Sequence, residues 1–322
     1  MDWPSSHCPV HADAPHRTVV REAGDRFFGL GGSFSYSECE ACGAWALSPR
    51  PPPTEIGAYY AGYYTEPLLD ELRIAQKKGR VLGPGRLRAR AFLRGVKRAG
   101  GRLEPGMKIL DVGSGLGAFL RFVRDFGGLK PHGVDFSPRC VAFAKEAHDL
   151  DIDRGELAEQ KYPEASFDAI TAWHYLEHVY DPAADLKEMF RILRPGGWLM
   201  IETPTNDLLS QIFGRRWFYL LPPTHLYHYR PATLEALIRG AGFEVKRTVR
   251  PWFPGELAAS VLLGLGLDGF VPKLYGVGRP TKHRALTAFF YLQMLYDVPI
   301  TLSLALLKHS GIVRVYAQKP MD

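Results

Sequence analysis

The chain has 322 residues, 46% hydrophobic and 23% charged, with 40 Lys and Arg against 34 Asp and Glu for a net charge of +6. This is enough apolar material for a sizeable core and too ordinary a mixture for a disordered, collagenous or disulfide-framework protein. Four cysteines (Cys8, Cys39, Cys42, Cys140) and first residues without an apolar leader core lead us to expect a reducing, cytoplasmic setting. In chain order, residues 1–60 have little helical periodicity and end in the proline-rich run Ser48 to Pro53, which predicts a small independent module. Residues 61–103 predict a basic, partly helical linker, with ten Lys or Arg and no acid between Lys77 and Arg102. From 104 to 322, short apolar runs alternate with amphipathic stretches, the pattern of a doubly wound α/β sheet. Strands are predicted at Met107–Val112, Pro131–Asp135, Phe167–Ala172, Trp198–Thr203, Phe243–Val245 and Ile312–Ala317. Helices are predicted at Ala118–Phe126, Pro138–Asp149, up to the Arg194–Gly197 turn, and at Ala232–Gly240. Because the last strand falls at 312–317, the apolar stretch 254–309 reads as an insertion within the sheet.

The most informative residues are Asp111-Val112-Gly113-Ser114-Gly115-Leu116-Gly117, a glycine loop between a strand and a helix, where a ligand must approach the backbone closely. A second carboxylate, Asp135, ends the next strand, where it could accept hydrogen bonds from ribose hydroxyls. The spacing G-x-G-x-G directly after an acid differs from the G-x-G-x-x-G of dinucleotide sites and disfavours a pyrophosphate.

At these residues the sequence resembles the class I S-adenosylmethionine-dependent methyltransferases, whose first motif is acid-x-G-x-G-x-G. The resemblance continues through His132–Ser137, Gly155-Glu156-Leu157, Phe167–Ile170 and Leu193–Trp198, and covers most of residues 104–250. It implies a Rossmann-like seven-stranded sheet and S-adenosyl-L-methionine as cofactor. Carried over by position, Asp111, Gly113, Ser114, Gly115 and Gly117 would line the methionine end and Asp135, followed by Phe136, the ribose. Glu156 and Leu157 would lie near the adenine.

Methyl transfer to a hydroxyl needs an aligned acceptor, exclusion of water and a base. Trp173-His174-Tyr175-Leu176-Glu177-His178-Val179 follows a strand at the ligand-binding edge and resembles the H-x-L-E-H-V stretch of a large subset of the family, which makes His174 a cofactor-pocket residue. In the Pro222–Tyr229 cluster, which resembles the P-x-H-L-x-x-Y/F segment of bacterial small-molecule and glycan methyltransferases, His225 is the first candidate for the base and His228 the second, with His174 a third. A capping or loop-anchoring role for His225 is the competing expectation. Asn206 and Asp207 suit either acceptor contacts or a turn.

Cys8-Pro9-Val10-His11 and Cys39-Glu40-Ala41-Cys42 are ligand pairs of two-residue spacing, whose three thiolates and one imidazole suit a closed structural Zn2+ site. His7 or His16 could compete with His11. The segment resembles the N-terminal zinc-binding motif of a methyltransferase subset, relatives of which include deoxysugar C-methyltransferases with a larger C-terminal domain.

The cation run would suit anionic partners, but no stacking groups or RNA-binding module accompany it, so a nucleic-acid acceptor is disfavoured. Gln293, Asp297 and Pro299 interrupt Ala285–Leu307, which argues for an interfacial helix pair or a homodimer contact rather than a span. Lys282, His283, Arg284, Lys308 and His309 flank it and would suit anionic headgroups at the inner membrane face. The resulting expectation is an O-methyltransferase of a small-molecule, sugar or lipid-linked glycan acceptor with a histidine base. The alternatives are a quinone, lipid or natural-product C- or O-methyltransferase, and a catalytically silent fold that recruits partners.

Overall fold

A computed structural model describes residues 8–26, 31–60, 62, 64–77, 84–267 and 284–321. Its centre is a seven-stranded sheet built from β4 (Lys108–Val112), β5 (Lys130–Asp135), β6 (Ile152–Arg154), β7 (Phe167–Trp173), β8 (Leu193–Pro204), β10 (Glu244–Val249) and β11 (Ile312–Gln318), in the order β10-β11-β8-β7-β4-β5-β6. Strands β4 to β8 pair in parallel, whereas β11 runs antiparallel between β8 and β10. Neighbouring residues of the central strands serve opposite cores. Leu110, Ile170 and Leu199 enter one apolar cluster; Ile109, Ala169 and Met200 enter the other. This period-two division is what a sheet covered on both faces requires, and it confirms the doubly wound expectation.

The helices α4 (Ala118–Gly127), α5 (Pro138–His148), α6 (Pro182–Ile192) and α8 (Pro231–Gly240) follow the predicted positions within a few residues. Two local features differ. The edge strand β6 has only three residues, too few for alternation to show in sequence. The Arg194–Gly197 turn belongs to β8, where a bulge separates the pairs Phe167↔Leu193 and Ala169↔Trp198.

The basic segment is not a detached linker. Its helix α3 (Pro84–Arg98) buries Ala89, Phe92 and Val96 in the same cluster as Phe119, Val123 and Tyr316. Gly95 permits this approach: a Cβ there would stand 2.1 Å from the Tyr316 hydroxyl. Several cations are used locally, Arg88 over Trp173 at 5.2 Å and Arg90 over Phe126 at 5.5 Å. Lys78 and Arg80 lie outside the described residues.

The N-terminal strands β1 (His16–Ala23), β2 (Phe34–Cys39) and β3 (Trp45–Ser48) form an antiparallel sheet, followed by α1 (Pro53–Tyr60) and α2 (Glu66–Lys77). That sheet is not independent. Its fourth strand is β9 (Tyr227–His228), paired as Trp45↔His228 and Ala46↔Tyr227, from the segment that carries the second histidine cluster. After β8 come α7 (Leu208–Phe213) and, before β11, α9 (Glu256–Gly264) and α10 (Arg284–Leu306). Among the described residues no helix is long and apolar enough to cross a membrane. Lys282 and His283 are outside the described residues.

Candidate active site and metal centre

The glycine loop leaves β4 with left-handed backbone at Gly113 (φ 69°) and Gly115 (φ 53°). A Cβ on Gly113 would meet the Tyr175 ring at 2.7 Å, so both dihedral and space demand glycine. The Gly113 and Ser114 amides donate to Val134 O at 2.9 and 3.1 Å. Asp135 accepts from the Gly115 and Ser137 amides, each at 2.8 Å, and so ties the loop to the end of β5. Burial pushes its carboxyl up, and these two bonds oppose that.

Asp111 and Leu157, which the resemblance places at the methionine end and beside the adenine, are both buried. Asp111 is buried beneath the loop, takes the Thr171 hydroxyl at 2.6 Å, and is pushed up to about 7 by burial, against Thr171 and Arg88. Leu157 is buried in the core. Gly117 packs inward, where a Cβ would stand 2.9 Å from Leu150. Phe136 and Glu156 are exposed, and Glu156 caps a short 3-10 turn.

At the end of β7, His174 has φ 49° and lies between two buried glutamates, with Nδ1 3.3 Å from Glu177 and Nε2 3.5 Å from Glu202. Its side chain is 26% exposed. Burial disfavours its charge, but the two carboxylates outweigh this and raise its pKa. Glu202 is held at about 2, because Arg314 offsets the burial that would raise it. The Arg314 Nε donates to Glu202 at 2.7 Å.

His178 Nδ1 is 2.8 Å from the Thr224 carbonyl oxygen and 2.9 Å from the Tyr60 hydroxyl. A carbonyl only accepts, so Nδ1 carries the proton and Nε2 the lone pair. The His225 ring meets that of His178 edge-on, centroids 4.6 Å apart. His225 is buried, its ring is bonded to the Tyr219 backbone, and its Nδ1 has no partner. Burial and the neighbouring His178 hold its pKa well below 6.5. One ligand atom each of Glu177, His178 and His225 lies within 4.8 Å of the others, compact enough to hold a cation or to pass a proton.

His228, the second sequence candidate, is sealed away. It is 0% exposed in β9, with ring centroids of Trp217 at 4.9 Å and Tyr36 at 5.4 Å, and burial lowers it to about 3. Asn206 and Asp207 have structural partners: Asn206 donates to Gly43 O at 2.6 Å, and Asp207 accepts from the Leu208 amide at 2.8 Å and pairs with Arg250. Two aromatic neighbours escaped the sequence reading. Tyr219 stacks on His174 at 6.3 Å, and Tyr60 touches both His178 and Phe136, the latter at 4.9 Å. The tyrosine-rich run at 59–64 was the available signal for Tyr60.

In the N-terminal module, Cys8, His11, Cys39 and Cys42 bring their ligand atoms within 4.8 Å of one another. The Val10 and His11 amides each donate to Cys8 Sγ at 3.4 Å. Cys42 is drawn down to about 4 by its bond to the Cys8 thiol, against burial. Three sulfurs and one imidazole this close together, with backbone N–H groups aimed at Cys8 Sγ, suit a tetrahedral metal ion. His16 heads β1 and is not in the set; His7 lies outside the described residues. Thr233 donates to Cys42 O at 2.8 Å, which fastens the knuckle to α8.

The sheet order with its reversed last strand and the acid-glycine loop define a class I S-adenosylmethionine-dependent methyltransferase. A family model described as "Methyltransferase domain" matches residues 85–248, just over half of the 322, and the chain belongs to that family. A Mycolicibacterium smegmatis protein named "Probable S-adenosylmethionine-dependent methyltransferase" is 34% identical over 154 residues, covering 48% of this chain and 58% of that one. The ubiquinone biosynthesis O-methyltransferase of Xanthomonas axonopodis pv. citri is 34% identical over 161 residues, covering 45% and 66%. The chain thus spans less than two thirds of either relative. In fold, the crystal structure of the [4+2]-cyclase SpnF matches with a TM-score of 0.55 at 20% identity, covering 85% of this chain and 99% of that one.

Proposed function

We propose that this methyltransferase methylates a hydroxyl oxygen of a small-molecule, sugar or lipid-linked glycan acceptor, with His225 as the proton acceptor. The observation that carries this is the buried, unpartnered Nδ1 of His225 beside His178 and the Glu177 carboxylate. When bound, S-adenosylmethionine would supply an electrophilic methyl group, with S-adenosylhomocysteine as the leaving group. His225 Nδ1 takes the hydroxyl proton, and Glu177 holds the resulting imidazolium. Asp135 accepts from the ribose hydroxyls, and Gly115, Phe136, Glu156 and His174 border the cofactor. The buried rings of Trp217 and Tyr219 keep water from the histidines. Cys8, His11, Cys39 and Cys42 hold a structural zinc ion.

A second reading, a lipophilic hydroxyl acceptor, is supported by the name of the ubiquinone relative and by the apolar outer face of α10. The test is His225→Gln assayed with methyl-labelled cofactor on lipid, sugar-nucleotide and glycan fractions. Turnover is expected to fall at least about a hundredfold, with S-adenosylhomocysteine affinity unchanged. Unaltered turnover would remove His225 as the base, and a wild type that binds cofactor yet methylates no fraction would favour the silent fold.

A further inference from the structure

Helix α10 is built inside out. A surface helix ordinarily turns its polar row to water. Here Gln293, Asp297 and Thr301, four residues apart, are buried. Asp297 accepts from the Gly255 and Ala258 amides at 2.8 and 2.6 Å, capping the start of α9, and Thr301 Oγ1 takes the Trp252 indole N–H at 3.0 Å. The polar interruptions therefore dock α10 onto α9 and leave its apolar side outward. Leu292, Leu295, Tyr296, Ile300, Leu306 and Leu307 are all exposed, Leu295 at 73% and Leu306 at 78%. Trp252 is exposed at the edge.

Cations lie near this face, one of them beside a carboxylate, since His309 Nδ1 is 3.1 Å from the half-buried Asp207. Lys308 and His309 are exposed where α10 ends, and Arg215 and Arg216 are exposed on a turn packed against α9. Between 284 and 309 the sole acid is the buried Asp297. An apolar row bordered by Trp and Tyr and flanked by cations complements the acyl boundary and anionic headgroups of a lipid bilayer. The helix is too short of apolar residues to cross it.

We infer that α10 is a membrane-docking surface, lying in the plane of an anionic bilayer with its Leu295 and Leu306 row in the outer acyl layer and Lys308, Arg215 and Arg216 against the headgroups. Phe253, the residue just before the insertion, packs on Tyr219 at 5.9 Å, and Tyr219 stacks on His174, so the insertion starts beside the proposed reaction centre. The enzyme would thus meet its acceptor at the lipid surface. Docking is independent of which acceptor is methylated and is read without turnover.

The test is flotation of the full chain with vesicles of phosphatidylcholine containing phosphatidylglycerol, and of phosphatidylcholine alone, for wild type and Leu295→Glu/Leu306→Glu. Wild type is expected to float with the anionic vesicles, less so at raised ionic strength. The double variant should bind at least about tenfold more weakly while melting cooperatively and binding S-adenosylhomocysteine as wild type does. A wild type that floats with neither vesicle, or a double variant that floats equally well, overturns the inference. So does a wild-type dimer that the variant splits while neither floats, which would make the face a contact between copies.

Discussion

The hydroxyl of Tyr36 donates to the main-chain carbonyl of His225 across 2.7 Å, so the N-terminal sheet holds the loop that presents the unpartnered imidazole. Tyr36 is fully buried, and its ring also packs on His228. Tyr36→Phe removes one bond and strands a buried carbonyl, at a cost of roughly 1 kcal/mol. Thermal unfolding should register that loss, and kcat should fall while S-adenosylhomocysteine affinity is kept. An unchanged kcat would show that the loop is positioned from elsewhere.

Metal removal should be visible at the Pro222–Tyr229 segment. The knuckle at Cys42 and Gly43 is bonded to Thr233 and Asn206, and β3 pairs with β9. Stripping zinc with a chelator, or Cys39→Ser, is expected to lower the melting temperature and shift the emission of Trp45 and Trp217, which meet at 6.4 Å beside His228. Cofactor binding on the large sheet should persist. An emission spectrum and melting point indifferent to a chelator that removes all bound metal would contradict a structural ion.

Glu256 makes stability pH-dependent. Buried at the start of α9, it accepts the Trp217 indole N–H at 2.9 Å, yet burial raises its carboxyl from 4.5 to about 7. The folded state therefore binds this proton more tightly than the unfolded chain. Its contribution is fully present below about pH 4.5 and is lost as pH rises towards 7, on the order of 3 kcal/mol in all. Urea unfolding across that range should show the decline, and Glu256→Gln should flatten it. Equal slopes in both proteins would exclude Glu256 as the source.

Asp135 shapes the glycine loop, and on the proposed reading its carboxylate also holds the ribose. Asp135→Ala should weaken S-adenosylhomocysteine binding at least about tenfold, the loss of one charge-assisted bond or more. Asp135→Asn, which keeps an acceptor for one amide, should fall between. Calorimetry giving wild-type affinity for the alanine variant would place the ribose elsewhere.

The parts legible in sequence were those carried by near neighbours. The Asp111–Gly117 loop, Asp135, and the Cys8, His11, Cys39 and Cys42 quartet depend on spacing within a strand-turn-helix or a tight knuckle. Other features depend on partners far along the chain. His228 reads as a polar site residue beside His225, yet it pairs with Trp45 and is enclosed by Trp217 and Tyr36. Asp297 reads as a break in an apolar run, yet it caps α9. The basic run reads as a solvated linker because the apolar spacing of Ala89, Phe92 and Val96 is diluted by arginines that lie over aromatic rings.

The strand β11 fills the gap between β8 and β10, with Thr203 matched to Val313 more than a hundred positions later. Until that segment arrives, β8 presents an open, apolar edge, and β10 has no neighbour to bind. Closure of the sheet is therefore a long-range event whose loop entropy spans the whole insertion. A chain lacking β11 (Ile312–Gln318) would expose that edge to pairing with other chains, which makes folding sensitive to the integrity of this one strand.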